Sequence, residues 1–142
     1  DEATLGEMRC LTAIPDWTSL NSRADSIIKD AQGKKNFSGR LLISAYNGKG
    51  DADLNAGKPK DALLDYLQGA MVLSKGETSP EHEASLGRSG IACAKIAAAE
   101  KDKGKKDVYR GRAQEMMGEL IQTYTKNSRY VPELDKAIKD IK

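Results

Sequence analysis

Histidine is nearly absent from this 142-residue chain, where His82 stands alone. Imidazole base catalysis needs a nucleophile and an orienting acid beside the ring. The nearby Ser79 is better placed to cap a helix, so His82, between Glu81 and Glu83, reads as an exposed first-turn residue without a catalytic role. Cysteine is scarce too: Cys10 and Cys93 lie far apart and form no CxxC. One histidine and two scattered thiols exclude a standard zinc site. They leave open either a single disulfide or two unrelated thiols.

No apolar run is long enough for a transmembrane helix, so membrane insertion is not expected. No stretch alternates apolar and polar residues convincingly enough for a strand. An excess of one charge is also missing. With 23 basic and 21 acidic side chains the formal net charge is +2, which gives no ground for nucleic acid as a partner. No charged-then-apolar leader is visible, and the chain opens with Asp1. A processed or excised segment is therefore expected, and its compartment stays open.

Proline is rare, and its four positions are informative. Pro15, Pro59, Pro80 and Pro132 all fall at predicted helix starts, where the missing N–H costs little. Asp16 caps a predicted helix whose apolar face is Trp17, Leu20, Ala24, Ile27, Ile28 and Ala31, and Gly33 stops it. Ser38 can cap a second, from Gly39 to about Asn55, and a third spans Lys60 to about Ser74. Ser79-Pro80-Glu81 is the clearest start, a cap followed by proline and an acid at the positive end of the dipole. A further helix is expected from about Val108 to Tyr124. A last one opens at Pro132-Glu133 with the stripe Leu134, Ala137, Ile138 and Ile141. Residues 1–14 read as a linker or a short helix, and 100–107 (EKDKGKKD) as a charged inter-helix loop. The expectation is one all-α domain over residues 1–142, with five to six helices.

Between Ile43 and Met71, two of these helices flank a tight turn at Asn55-Ala56-Gly57-Lys58-Pro59. Tyr46, Gly50, Gly57, Ala62 and Tyr66 follow the order aromatic, small, turn glycine, alanine, aromatic. That order resembles the tetratricopeptide repeat (TPR), a helix-turn-helix unit of about 34 residues. Asp53 stands where the family usually has another aromatic. One repeat covers about 43–76, and a degenerate one, with Leu86, Gly90, Ala113 and Met117, covers about 83–125. The resemblance implies a right-handed superhelical stack of antiparallel helix pairs. Its implied role is non-enzymatic: a concave groove binding a peptide or partner protein, without cofactor or metal.

On that resemblance the groove is lined by Asn47, Asp51 and Asn55, which recur at i, i+4, i+8, with Arg88 and Lys95 from the second unit. The bland alternative is a solvated helix face. A second functional reading is a self-associating or spacer domain, homo-oligomeric through Met116, Met117 and Ile121. Asp51, Asp53 and Asn55 alternate like calcium ligands, but Ala56 and Ala62 stand where an EF-hand needs Gly and Glu. Gly48-Lys-Gly50 and Gly57-Lys58 lack the spacing and preceding strand of a phosphate loop. Lys101, Lys103, Lys105 and Lys106 form a basic run interleaved with acids, read either as solvated loop or as weak attraction for an acidic partner.

Overall fold

A computed structural model describes residues 2–13, 16–34, 37–74 and 76–142, with the side chains of 11–13 left aside. Among these residues there are seven helices and no strand: α1 (Glu2–Ala13), α2 (Trp17–Ala31), α3 (Gly39–Asn55), α4 (Pro59–Ala70), α5 (Pro80–Ala99), α6 (Lys103–Tyr124) and α7 (Tyr130–Lys139). The chain is all-α.

Local chemistry sets most of the boundaries. Asp16 accepts from Ser19 N–H at 3.1 Å, Ser38 from Leu41 N–H at 3.3 Å and Ser79 from His82 N–H at 3.0 Å. Each cap satisfies one of the backbone donors orphaned at a helix start. Pro59 and Pro80 open α4 and α5; Pro15 lies outside the described residues. Gly57, at φ +76°, makes the α3–α4 turn, a conformation glycine adopts without a steric penalty.

Four expectations need correction. There are seven helices rather than five to six, because the N-terminal segment is helical from Glu2 to Ala13. The charged loop is not 100–107: Asp102 accepts from Lys105 N–H at 2.8 Å, and α6 begins at Lys103. One capping carboxylate thus turns a loop-like lysine run into a helical first turn. The third predicted helix ends at Ala70 rather than Ser74. And α7 begins at Tyr130, two residues ahead of Pro132. A proline in the third position removes only an N–H that has no helical acceptor.

Each helix packs on the next in sequence, and α1 on α3, α3 on α5 and α5 on α7 as well. The even-numbered helices α2, α4 and α6 do not pack on one another. Two apolar clusters result. The smaller joins Leu5 and Met8 of α1, Leu20, Ala24 and Ile27 of α2 and Leu41 of α3. The larger centres on α5 and holds Tyr66, Ile91, Cys93, Leu120, Tyr130 and Leu134. Small residues set the spacing. A Cβ at Gly50 would lie 2.3 Å from Tyr66 Cε1, and one at Gly87 2.3 Å from Tyr130 Cγ, so α3–α4 and α5–α7 approach where glycine removes the side chain. Cys10 is exposed and Cys93 buried, both as free thiols.

Candidate functional site: a groove across alternate helices

The N-terminal turn of α5 carries the charged centre of the molecule. Glu81 is 8% exposed and holds arginines from two other helices. Arg9 Nη2 of α1 donates to its Oε1 at 2.8 Å. Arg40 of α3 donates from Nε to Oε2 at 2.9 Å and from Nη2 to Oε1 at 3.1 Å. Burial pushes the Glu81 carboxyl up, but hydrogen bonds from Arg40 and Arg9 outweigh it and hold the group below the usual glutamate range. A bidentate guanidinium–carboxylate contact also fixes orientation, so α1 and α3 are aligned against α5 here.

Beside this cluster runs a cleft of about 400 Å³, lined from α1 by Met8 and Arg9, from α3 by Ser44 and Asn47, and from α5 by Ala84 and Arg88. Arg129 and Tyr130 at the start of α7 close it. The four helices that touch one another in alternate order therefore share one groove. Its polar atoms are largely committed. Asn47 Nδ2 donates to the Glu81 carbonyl at 2.9 Å, and its Oδ1 accepts from Ser85 Oγ at 2.6 Å. Ser128 Oγ donates to Glu83 at 2.6 Å. Arg129 lies over the Tyr130 ring at 4.9 Å and has no carboxylate partner among the described residues.

The five expected groove residues divide accordingly. Asn47 and Arg88 line the cleft, but Asn47 is buried and acts as a pin between α3 and α5. Asp51 sits beneath it, accepting from Tyr66 OH at 2.7 Å and Arg88 Nη1 at 3.1 Å. Burial raises the Asp51 pKa, with Arg88 and the Tyr66 hydroxyl opposing. Asn55 and Lys95 are exposed and lie outside the cleft. The three α3 positions drift around the helix by 80° over eight residues at 3.6 per turn, which carries Asn55 off the face that meets α5. Sequence reasoning missed Arg9, Glu81 and Arg129. Glu81 was legible as a first-turn acid, but nothing local announces two arginines arriving from other helices.

His82 is likewise corrected: it is buried rather than exposed. Its Nε2 lies 3.1 Å from the Ala70 carbonyl and its Nδ1 in hydrogen-bond contact with Tyr124 OH. With its proton on Nε2 the ring donates to the Ala70 carbonyl and accepts from Tyr124 at Nδ1. No group of three or more His, Cys, Asp or Glu side chains is placed to hold a metal among the described residues. None of the described helices is long and apolar enough to cross a membrane.

Away from the groove, Asp65 of α4 is the most perturbed carboxyl. Burial, a hydrogen bond to Asp53 and that neighbour's charge push it up to about 7, against the pull of Lys49.

Compared with family models, with curated proteins and with solved structures, the chain matches none.

Proposed function

We propose that the chain is a non-enzymatic interaction module, a right-handed tetratricopeptide-like stack that receives a peptide or a segment of a partner protein in the groove of α1, α3, α5 and α7. The observation carrying this reading is the groove: four alternate helices contribute to one cleft whose rim holds Arg129, which has no carboxylate partner among the described residues. Helix pairing in sequence order, with a row of odd-numbered helices in mutual contact, supports the repeat-like reading, since stacked helical repeats present extended concave surfaces for binding. Arg129, Arg9 and Ser44 offer donors to a bound main chain, and Ala84 and Tyr130 offer apolar contact.

The non-enzymatic part rests on how the reactive groups are used. Both ring nitrogens of His82 have partners within the fold. The Cys93 thiol is buried and pushed up to about 11 by desolvation, which keeps it from the thiolate form a nucleophile needs. Self-association has less support. Met116 and Met117 pack against the core, while Ile121 is a single exposed apolar side chain on that face.

Peptide-display selection on the immobilised chain tests the proposal, followed by affinity measurements with wild type and Arg129→Glu. An enriched peptide that binds the variant about tenfold more weakly or worse is expected, since the reversal replaces attraction with repulsion. Equal affinity for both, or no enriched sequence, would remove the groove from this role.

A further inference from the structure

At the far end of α5 a second surface is built from different chemistry. Two adjoining clefts share Lys60. One, of about 550 Å³, lies against the start of α6 and is lined by Lys105, Val108, Tyr109 and Arg112. The other, of about 380 Å³, lies between the α3–α4 turn and the end of α5, with Lys58, Asp61 and Ile96 in its wall. Along α5 the groove reaches Arg88 and this surface begins at Ile96, eight residues or about 12 Å further on at 1.5 Å per residue.

In the cleft against α6, cations outnumber carboxylates three to one. Lys58, Lys60, Lys105 and Arg112 are exposed and have no ion-pair partner among the described residues. Two of the three carboxylates in the cleft walls also accept from backbone N–H groups. Glu100 accepts from Asp102 N–H at 3.3 Å, and Asp102 from Lys105 N–H at 2.8 Å. Both keep their charge, so four cations face three carboxylates across the two clefts, while in the cleft against α6 Lys60, Lys105 and Arg112 face only Asp102. The α6 first turn has no acid and carries Lys103, Lys105 and Lys106 instead, against the preference of the helix dipole for anions at that end. The floor is apolar: Val108 is 53% exposed, and the partly exposed Tyr109 ring has the Arg112 guanidinium 5.7 Å from its centre.

We propose that this cleft binds an acidic segment of a partner protein, with one apolar side chain seated on Val108 and Tyr109 and flanking carboxylates meeting Lys60, Lys105 and Arg112. Charge complementarity selects an anion, and the apolar floor selects a protein segment over a bare polyanion. A single tyrosine gives no series of stacking platforms for successive bases. The site stands apart from the groove and does not depend on the reading given for it.

The test is a fluorescence anisotropy titration of the full chain with a labelled Glu-rich peptide carrying one central leucine. Variants are Lys60→Glu, Lys105→Glu and, as the groove control, Arg129→Glu. Binding that weakens with added salt, falls about tenfold or more in each cleft variant and is unchanged in Arg129→Glu is expected. Lys105→Glu places an acid in the α6 first turn, so thermal unfolding should show it as stable as wild type or more so. Lost binding then reflects the lost cation. Three results would each overturn the proposal: no binding at low salt, equal binding to the cleft variants, or displacement of the peptide by single-stranded oligonucleotide but not by excess unlabelled peptide.

Discussion

Replacing Gly50 by alanine in the middle of α3 sets two effects of known sign against each other. Helix propensity alone favours alanine by about 0.5–1 kcal/mol. The added Cβ, however, would lie 2.3 Å from Tyr66 Cε1 and 2.6 Å from Cδ1, where carbon atoms rest at about 3.5–4.0 Å. The ring has no exposed surface and its hydroxyl is tied to Asp51 at 2.7 Å, so it has little freedom to retreat. Overpacking of this kind costs about 1–3 kcal/mol, and displacing the ring also gives up a hydrogen bond to a charged group, about 1.5–3 kcal/mol. The net expectation is destabilisation by about 2–5 kcal/mol. Gly118 in α6 is the control, because a Cβ there meets nothing within 4 Å; Gly118→Ala should gain about 0.5–1 kcal/mol from propensity. Urea unfolding followed by far-UV circular dichroism measures both, with the midpoint shifting in opposite directions at unchanged slope. A Gly50→Ala variant as stable as wild type would refute the close α3–α4 crossing, and with it the register that places Tyr66 against Gly50.

Three further outcomes follow from named contacts. Asn47→Ala should cost about 1–3 kcal/mol in the same assay, because it leaves the buried Ser85 hydroxyl without its acceptor and takes a second donor from the Glu81 carbonyl; a loss under half a kcal/mol would contradict its role as a pin. The raised Asp65 pKa means the native state holds a proton that the unfolded chain releases at about 3.8, so stability falls as pH rises from about 4 through about 7. The gap corresponds to about 4 kcal/mol in a dry site, and water at this half-exposed carboxyl reduces it to about 1–2 kcal/mol. Asp65→Asn should be more stable than wild type by that amount at pH 8 and equal to it at pH 4. The depressed Glu81 works the other way: the stability from its arginine pairs is present above the usual glutamate range and lost as pH falls through its folded value. Glu81→Gln should accordingly be less stable at neutral pH, with the difference narrowing in acid.

Much of the helical framework was legible because caps are local. Asp16, Ser38 and Ser79 each bond a backbone N–H three residues on, so sequence spacing alone finds them. Asp102 has the same geometry, but surrounding lysines disguised it as loop. The site was less legible. Of the expected groove positions Arg88 lines the cleft, but Asn47 is held inside, because its partners Glu81 and Ser85 come from a helix 34–38 residues away. His82 was misplaced for the same reason: Ala70 and Tyr124 reach it from α4 and α6. Burial of a polar side chain depends on which helices converge, and periodicity reports one helix at a time.

The central claim is that the groove of α1, α3, α5 and α7 is the binding surface. Amide chemical-shift mapping of the isotope-labelled chain, titrated with a display-selected peptide, tests it most directly. The account predicts shifts concentrated at Arg9, Ser44, Gly48, Ala84 and Arg129, with α2 and the outer face of α6 unchanged. Shifts centred on the even-numbered helices, with those five residues still, would contradict it.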